Sequence, residues 1–281
     1  MAVSLEEGFS DATELQVIDN ALQRSRLRTG FKYSGTLYLI VALLVLWQFI
    51  GSFLDPIYIS KPTIVASNLW DMLFGKTQIW HDIAVSASEM YIGLAIALVV
   101  GSVLGLAIGR SRVIRGITAP YVVFLNATPL VITLPLLAIW LGVDEKARIV
   151  FIVLLATWPI LLNVAAGCRN VSGRFTELGH SAGLSRSDVI RKIIIPGVLP
   201  YFLTGARISA GLVVIGMVVS EMEVSLVGLG YLLASYASGF QTSKLLAVFV
   251  ISTVFGLINV GLLSLATRIW APWAVLERKE R

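Results

Sequence analysis

Apolar residues in this 281-residue chain come in long unbroken blocks, without the alternation of a half-buried strand or the single stripe of a water-facing helix. Five blocks carry no Asp, Glu, Lys or Arg: Tyr33 to Leu54, Met90 to Gly109, Gly116 to Val143, Ile149 to Cys168 and Leu245 to Thr267. Each reaches the roughly 20 residues that a helix needs to cross a hydrocarbon core of about 30 Å. A sixth block, Leu199 to Ser220, is interrupted only by Arg207, whose long stem can carry its charge to the interface from near one end. The pattern predicts an all-α polytopic membrane protein with six transmembrane helices. Between the first two blocks, Pro56 and Pro62 precede Ile64, Leu69, Met72 and Leu73, with Trp70 beside them. This spacing predicts a short amphipathic helix at the outer interface, too short and too polar to cross.

Composition agrees: 57% of residues are hydrophobic and 14% charged, against about 25% charged in soluble domains. The distribution of charge adds an orientation, because Lys and Arg in short loops mark the cytoplasmic side. With the N-terminus inside, 17 of the 22 Lys and Arg residues fall on cytoplasmic segments; Lys61, Lys76, Lys146, Arg148 and Lys244 remain outside. Both termini are therefore expected in the cytoplasm, and the net charge of +5 needs no nucleic-acid partner. The single cysteine, Cys168, excludes an intramolecular disulfide and reads as a small buried apolar residue. The first apolar block starts after residue 32 and is long enough to span, so it is expected to be an uncleaved helix rather than a signal peptide.

The expected layout is a cytoplasmic tail over 1–32, a first span over 33–54 and an outer loop with its interfacial helix over 55–88. A core over 89–274 and a cytoplasmic tail over 275–281 follow. The first tail begins acidic and ends basic, and Arg24, Arg26, Arg28 and Lys32 suit anionic inner-leaflet lipid. Gly93, Ala97, Gly101, Gly105 and Gly109 recur every fourth position, a stripe that lets another helix approach closely, within the subunit or in a dimer. In the third span, Pro129 and Pro135 stand among Asn126, Thr128 and Thr133. Two readings fit: a broken, polar helix lining a translocation pathway, or a proline kink whose hydroxyls bond their own backbone.

The stretch 177–196, "ELGHSAGLSRSDVIRKIIIP", is polar where most of its surroundings are apolar. Phe175, Leu178 and Ala182 share a helical face, Gly183 supplies a left-handed stop, and Ser185 with Asp188 forms a capping box before Val189, Ile190, Ile193 and Ile194. A helix, a glycine turn and a second helix are predicted, with Pro196 and Pro200 redirecting the chain into the fifth span. Glu177, His180, Arg186 and Asp188 are then available to touch another protein.

At these residues the chain resembles the permeases of binding-protein-dependent ABC importers. Their cytoplasmic signature, the EAA motif, is Glu-Ala-Ala, three residues, Gly, nine residues, Ile, one residue, Leu-Pro. Glu177, Gly183, Ile193 and Pro196 match it, whereas Leu178, Gly179 and Ile195 depart from it. The resemblance covers roughly residues 30 to 270, and the run after Pro196 is similar to the branch handling nitrate, bicarbonate, sulfonates and taurine. It implies the type I importer fold and a bacterial inner-membrane location. Two permease subunits, as a homodimer, would form the pore; two cytoplasmic ATPase subunits and an extracytoplasmic binding protein would complete the machine. Glu177, Leu178, His180, Ala182, Gly183, Leu184, Ser185, Arg186 and Asp188 would dock on the ATPase as coupling helices. Asn126, Thr128, Pro129, Thr133, Pro135 and Glu221 would lie along the pathway, Glu221 because the family commonly has an acidic residue there.

No Gly-x-x-x-x-Gly-Lys-Ser/Thr loop occurs in the sequence, so ATP and Mg are expected in the partner subunits, with no cofactor on this chain and no enzymatic activity of its own. His81 and His180 fall on opposite predicted sides of the membrane, and no carboxylate–histidine cluster or metal site is apparent. Glu89 and Glu221 are placed at outer span ends; Glu221 reads either as a helix-end group held by water or an Arg, or as a substrate contact. The competing classes are an ion-coupled secondary transporter, which usually carries ionisable residues at mid-membrane and internal repeats, and an intramembrane enzyme, whose catalytic groups should converge in one cavity.

Overall fold

A computed structural model describes residues 35–36, 38–75 and 79–270. The tails predicted over 1–32 and 275–281 lie outside the described residues, as do Tyr33 and Lys76. The regular elements among the described residues are helical. They divide into two units, 1–64 and 65–281.

The first unit holds α1 (Tyr38–Phe53). Its side chains Leu39, Val41, Leu43, Val45, Leu46 and Phe49 are exposed around the helix, as suits a helix bathed in lipid rather than water. Gln48 holds the far end of the following loop, accepting a hydrogen bond from the Thr63 amide at 3.4 Å.

In the second unit, α2 (Pro62–Phe74), which begins at the end of the first unit, covers the segment expected to form an interfacial helix. Then come α3 (Trp80–Arg110), α4 (Arg112–Ala127), a 3-10 turn (Leu130–Ile132), α5 (Thr133–Leu141), α6 (Glu145–Ser181), α7 (Arg186–Val189), α8 (Ile195–Val224), α9 (Leu229–Ser238) and α10 (Thr242–Trp270). Four stretches are long and apolar enough to cross a membrane: Trp80–Arg110, Glu145–Val171, Ser187–Val224 and Thr242–Ala266. The bent pair α4 and α5 makes a fifth if it is one span.

The core is the packing of α3 and α8 on α6. The glycine stripe of α3 lies inside the subunit: a Cβ at Gly101 would sit 2.8 Å from the Ile160 side chain, and one at Gly105 2.8 Å from the Leu161 carbonyl. Small residues let the backbones approach where apolar lipid gives no hydrophobic drive to associate. On the other side of α6, Gly205 of α8 meets the Ile160 backbone, and Ser209 Oγ donates to the Ala156 carbonyl at 2.6 Å. α10 joins through Asn259, whose amide donates to the Ala210 carbonyl at 2.8 Å. Cys168 is buried opposite Gly109.

Two expectations need correction. The helix before Gly183 is not a separate short element, because α6 runs unbroken for 37 residues to Ser181; no proline or glycine cap interrupts it between the membrane span and the turn. Nor do Pro196 and Pro200 start a new direction with a break, since one helical stretch of 38 residues extends from Ser187 to Val224. A π turn at Ile190–Ile194 just before Pro196 lets the helix continue. A proline ring crowds the carbonyl four residues back and cannot donate to it, and a widened turn relieves both problems.

Candidate functional site

The turn between α6 and α8 is built as its residues dictate. Gly183 has φ +74, the left-handed region open to glycine at little cost, and the Leu184 amide returns to the Gly179 carbonyl at 3.0 Å to close the helix end. Ser185 Oγ accepts from the Asp188 amide at 3.2 Å and donates to Asp188 Oδ2 at 2.6 Å. This is the predicted capping pair in a variant form, since the carboxylate binds the serine hydroxyl rather than its amide. Ser181, Ala182, Gly183 and Ser185 are exposed, Leu184 is half-buried, and Leu184 and Ile193 pack toward Val189 and the core. The side chains of Glu177, Leu178, His180 and Arg186 lie outside the described residues.

The third predicted span breaks by 81° between α4 and α5. Thr128 is extended, as a residue before proline prefers, and Pro129 follows outside any helix. Pro135 lies in the first turn of α5, where its missing N–H removes a donor that has no helical partner anyway. Thr128 and Thr133 hydroxyls donate to the Phe124 and Leu130 carbonyls at 2.9 and 2.6 Å. The helix is thus broken, and the Thr128 and Thr133 hydroxyls bond their own backbone. The side chain of Asn126 lies outside the described residues.

Glu221 belongs to a buried polar cluster where α3, α6, α8 and α9 meet. Three successive amides at the start of α9 take acceptors from other helices. Gly228 donates to Asp82 Oδ1 at 2.8 Å, Leu229 to Ser86 Oγ at 2.9 Å and Gly230 to Glu221 Oε2 at 2.7 Å. Ser86 Oγ itself donates to Glu221 Oε2 at 2.9 Å. These are the orphan donors of a helix N-terminus, which favour carboxylates on two counts, hydrogen bonding and the helix dipole. Gly228 has φ +102, and a Cβ there would lie 2.5 Å from Glu221 Oε2, so glycine is required twice over. Beside this, Arg148 of α6 pairs with Glu89 of α3 through Nε and Nη2, and its Nη1 donates to the Val224 carbonyl of α8 at 3.0 Å. Both side chains of the pair are buried. Ala147, Phe151 and Val224 in turn pack against Leu134 and Leu137 of α5.

The pairing of Glu89 with Arg148, and the roles of Asp82, Ser86, Gly228 and Gly230, are not read from the sequence; all the partners but Gly230 and Glu221, which are 9 residues apart, stand 59 to 146 residues apart. The available signal was indirect: charges at three span ends assigned to one side of a membrane, where charge is costly unless paired. No group of His, Cys, Asp and Glu among the described residues could hold a metal ion.

Long apolar helices with lipid-type surfaces, close glycine packing and a polar cluster devoted to tying helix ends define a multi-pass membrane protein. The chain belongs to the family of binding-protein-dependent transport system inner membrane components, whose model matches residues 97–274. It is 29% identical over 268 residues to the taurine transport system permease protein TauC of Escherichia coli strain K12, covering 92% of this chain and 97% of that one. It is 28% identical over 236 residues to the nitrate import permease protein NrtB of Leptolyngbya laminosa, covering 81% and 84%. A crystal structure of an amino acid ABC transporter with histidines shares the fold, with a TM-score of 0.58 at 18% identity over 71% of this chain and 97% of that one.

Proposed function

We propose that this chain is the pore-forming subunit of an ATP-driven importer and that two cytoplasmic ATPase subunits drive it through residues 175–195. The observation that carries this reading is the exposed turn at Gly183, held in a left-handed conformation and capped by Ser185. Such a shape joins the ends of α6 and α8 and offers a compact handle to a partner. A second copy of the chain completes the pathway, α1 and the broken α4–α5 segment bring the spans to six, and both termini face the cytoplasm. Thr128, Pro129, Thr133 and Pro135 line the pathway at the break, where backbone freed from the helix is tolerated because it faces a cavity. ATP and Mg bind only the partner subunits.

The solute is small and anionic and arrives on an extracytoplasmic binding protein; support comes from the relatives named for taurine transport and nitrate import. The test is reconstitution of the permease with its ATPase and binding protein in liposomes, followed by uptake of labelled taurine and nitrate. Uptake that requires ATP hydrolysis is expected. Uptake that continues with a catalytically dead ATPase would replace this reading with an ion-coupled secondary transporter.

A further inference from the structure

The α6–α8 hairpin has two ends of different construction. At one end is the Gly183 turn; at the other, Arg148 at the start of α6 reaches the carbonyl of Val224 at the end of α8. The same arginine grips Glu89 of α3, and one and two turns earlier on α3, Ser86 and Asp82 hold the first amides of α9 together with Glu221 of α8. Four helices therefore meet in two hydrogen-bonded groups carried side by side on α3 and α8, and Ser86, Glu89, Arg148 and Glu221 are buried while Asp82 is half-buried. Opening them leaves buried charges and amides without partners, which a low-dielectric interior penalises heavily. Between the cluster and the turn, α3, α6 and α8 are interlocked at Gly93, Gly101, Gly105, Gly205 and Gly216. Helices in such contact have little freedom to slide past one another.

We propose that Asp82, Ser86, Glu221 and the Glu89–Arg148 pair are positioning residues that join the far ends of α3, α6, α8 and α9 into one rigid block. Movement at the Gly183 turn is thereby carried through the membrane to α9 and to α5, which packs on Ala147, Phe151 and Val224 beside the cluster. This rests on the importer reading, and it adds the residues that turn a displacement at the handle into a displacement at the opposite end. The cluster stays closed throughout the cycle; it is a joint rather than a gate.

The test uses the permease–ATPase complex in liposomes with spin labels at Ser185→Cys or at Val143→Cys. Both positions are exposed, whereas native Cys168 is 1% exposed and stays unlabelled. Distances between the two labelled copies are measured without nucleotide and after trapping with ATP and vanadate. In the otherwise unmodified complex both distances change on trapping. With Glu221→Gln, or with the milder Ser86→Ala, the change at Ser185 is retained and the change at Val143 falls to less than half. A merely structural role does not separate the two readouts. Equal changes at both positions in the variants overturn the proposal, and so does failure of both variants to assemble, which assigns the cluster to folding alone. If the unmodified complex shows no ATP-dependent change at Ser185, the importer reading itself falls and this inference with it.

Discussion

Arg148 and Glu89 show what a buried charge demands of its surroundings. Replacing both members of such a pair with apolar groups is often neutral or stabilising, whereas removing one strands the other in a poor solvent for charge, at a cost of about 3–5 kcal/mol. Arg148→Met is therefore expected to lower the thermal midpoint of the detergent-solubilised subunit strongly. Combining it with Glu89→Leu should recover most of the loss, leaving the Val224 carbonyl as the main deficit; a double variant no better than the single one would show that the pair is not the source. Gly183 poses a different problem, of conformation alone. A Cβ there meets nothing within 4 Å, but φ is +74. Gly183→Ala is thus limited to the left-handed penalty of about 1–2 kcal/mol, confined to the turn. Gly183→Pro, whose ring fixes φ near −65°, cannot form the turn at all. On the proposed reading, ATPase copurifies with the alanine variant and is lost with the proline variant, as a pull-down through a tagged permease would reveal.

At the scale of elements, the α3–α6 contact is set by which positions lack a side chain. Gly105→Val places a Cβ 2.8 Å from a backbone carbonyl that cannot yield without moving α6, and overpacking of this kind costs about 1–3 kcal/mol. Gly116→Val on α4, where nothing lies within 4 Å, is the matched control. The yield of folded protein in detergent should fall for the first and hold for the second; equal yields would mean that the stripe does not set the helix spacing. That stripe was legible from its four-residue period, as were the Gly183 turn, the Ser185 cap and the interruption at Pro129, because each depends on neighbours within one or two helical turns. What could not be read is whatever depends on distant partners. Glu221 was visible as a carboxylate at a span end, but not as an acceptor for the Gly230 amide and the Ser86 hydroxyl. Arg148 counted only as one outer cation among five. The continuity of α6 from the span up to the turn, and of the following helix through Pro196, was misjudged because polar composition and prolines suggest separate elements while the backbone gains more by extending a helix already nucleated in the membrane.

For the whole molecule, length alone constrains topology. The stretch Ser187–Val224 contains 38 residues, and at 1.5 Å per residue it extends about 57 Å, well beyond a hydrocarbon core of about 30 Å. Ser185 at one end and Leu226 at the other must then emerge on opposite sides of any bilayer the helix crosses; on the proposed reading, the basic residues Arg186, Arg191 and Lys192 beside Ser185 face the cytoplasm. Leu226 is 78% exposed, Ser185 is exposed and Cys168 is buried, so variants with one added cysteine give clean signals. In intact cells a membrane-impermeant maleimide should modify Leu226→Cys, and should reach Ser185→Cys only after permeabilisation. Labelling in the opposite order inverts the orientation and removes the Gly183 turn from the compartment where ATP is available. Labelling of both from outside means that the helix does not cross, a result incompatible with the 38-residue helix joining the proposed handle to the proposed joint.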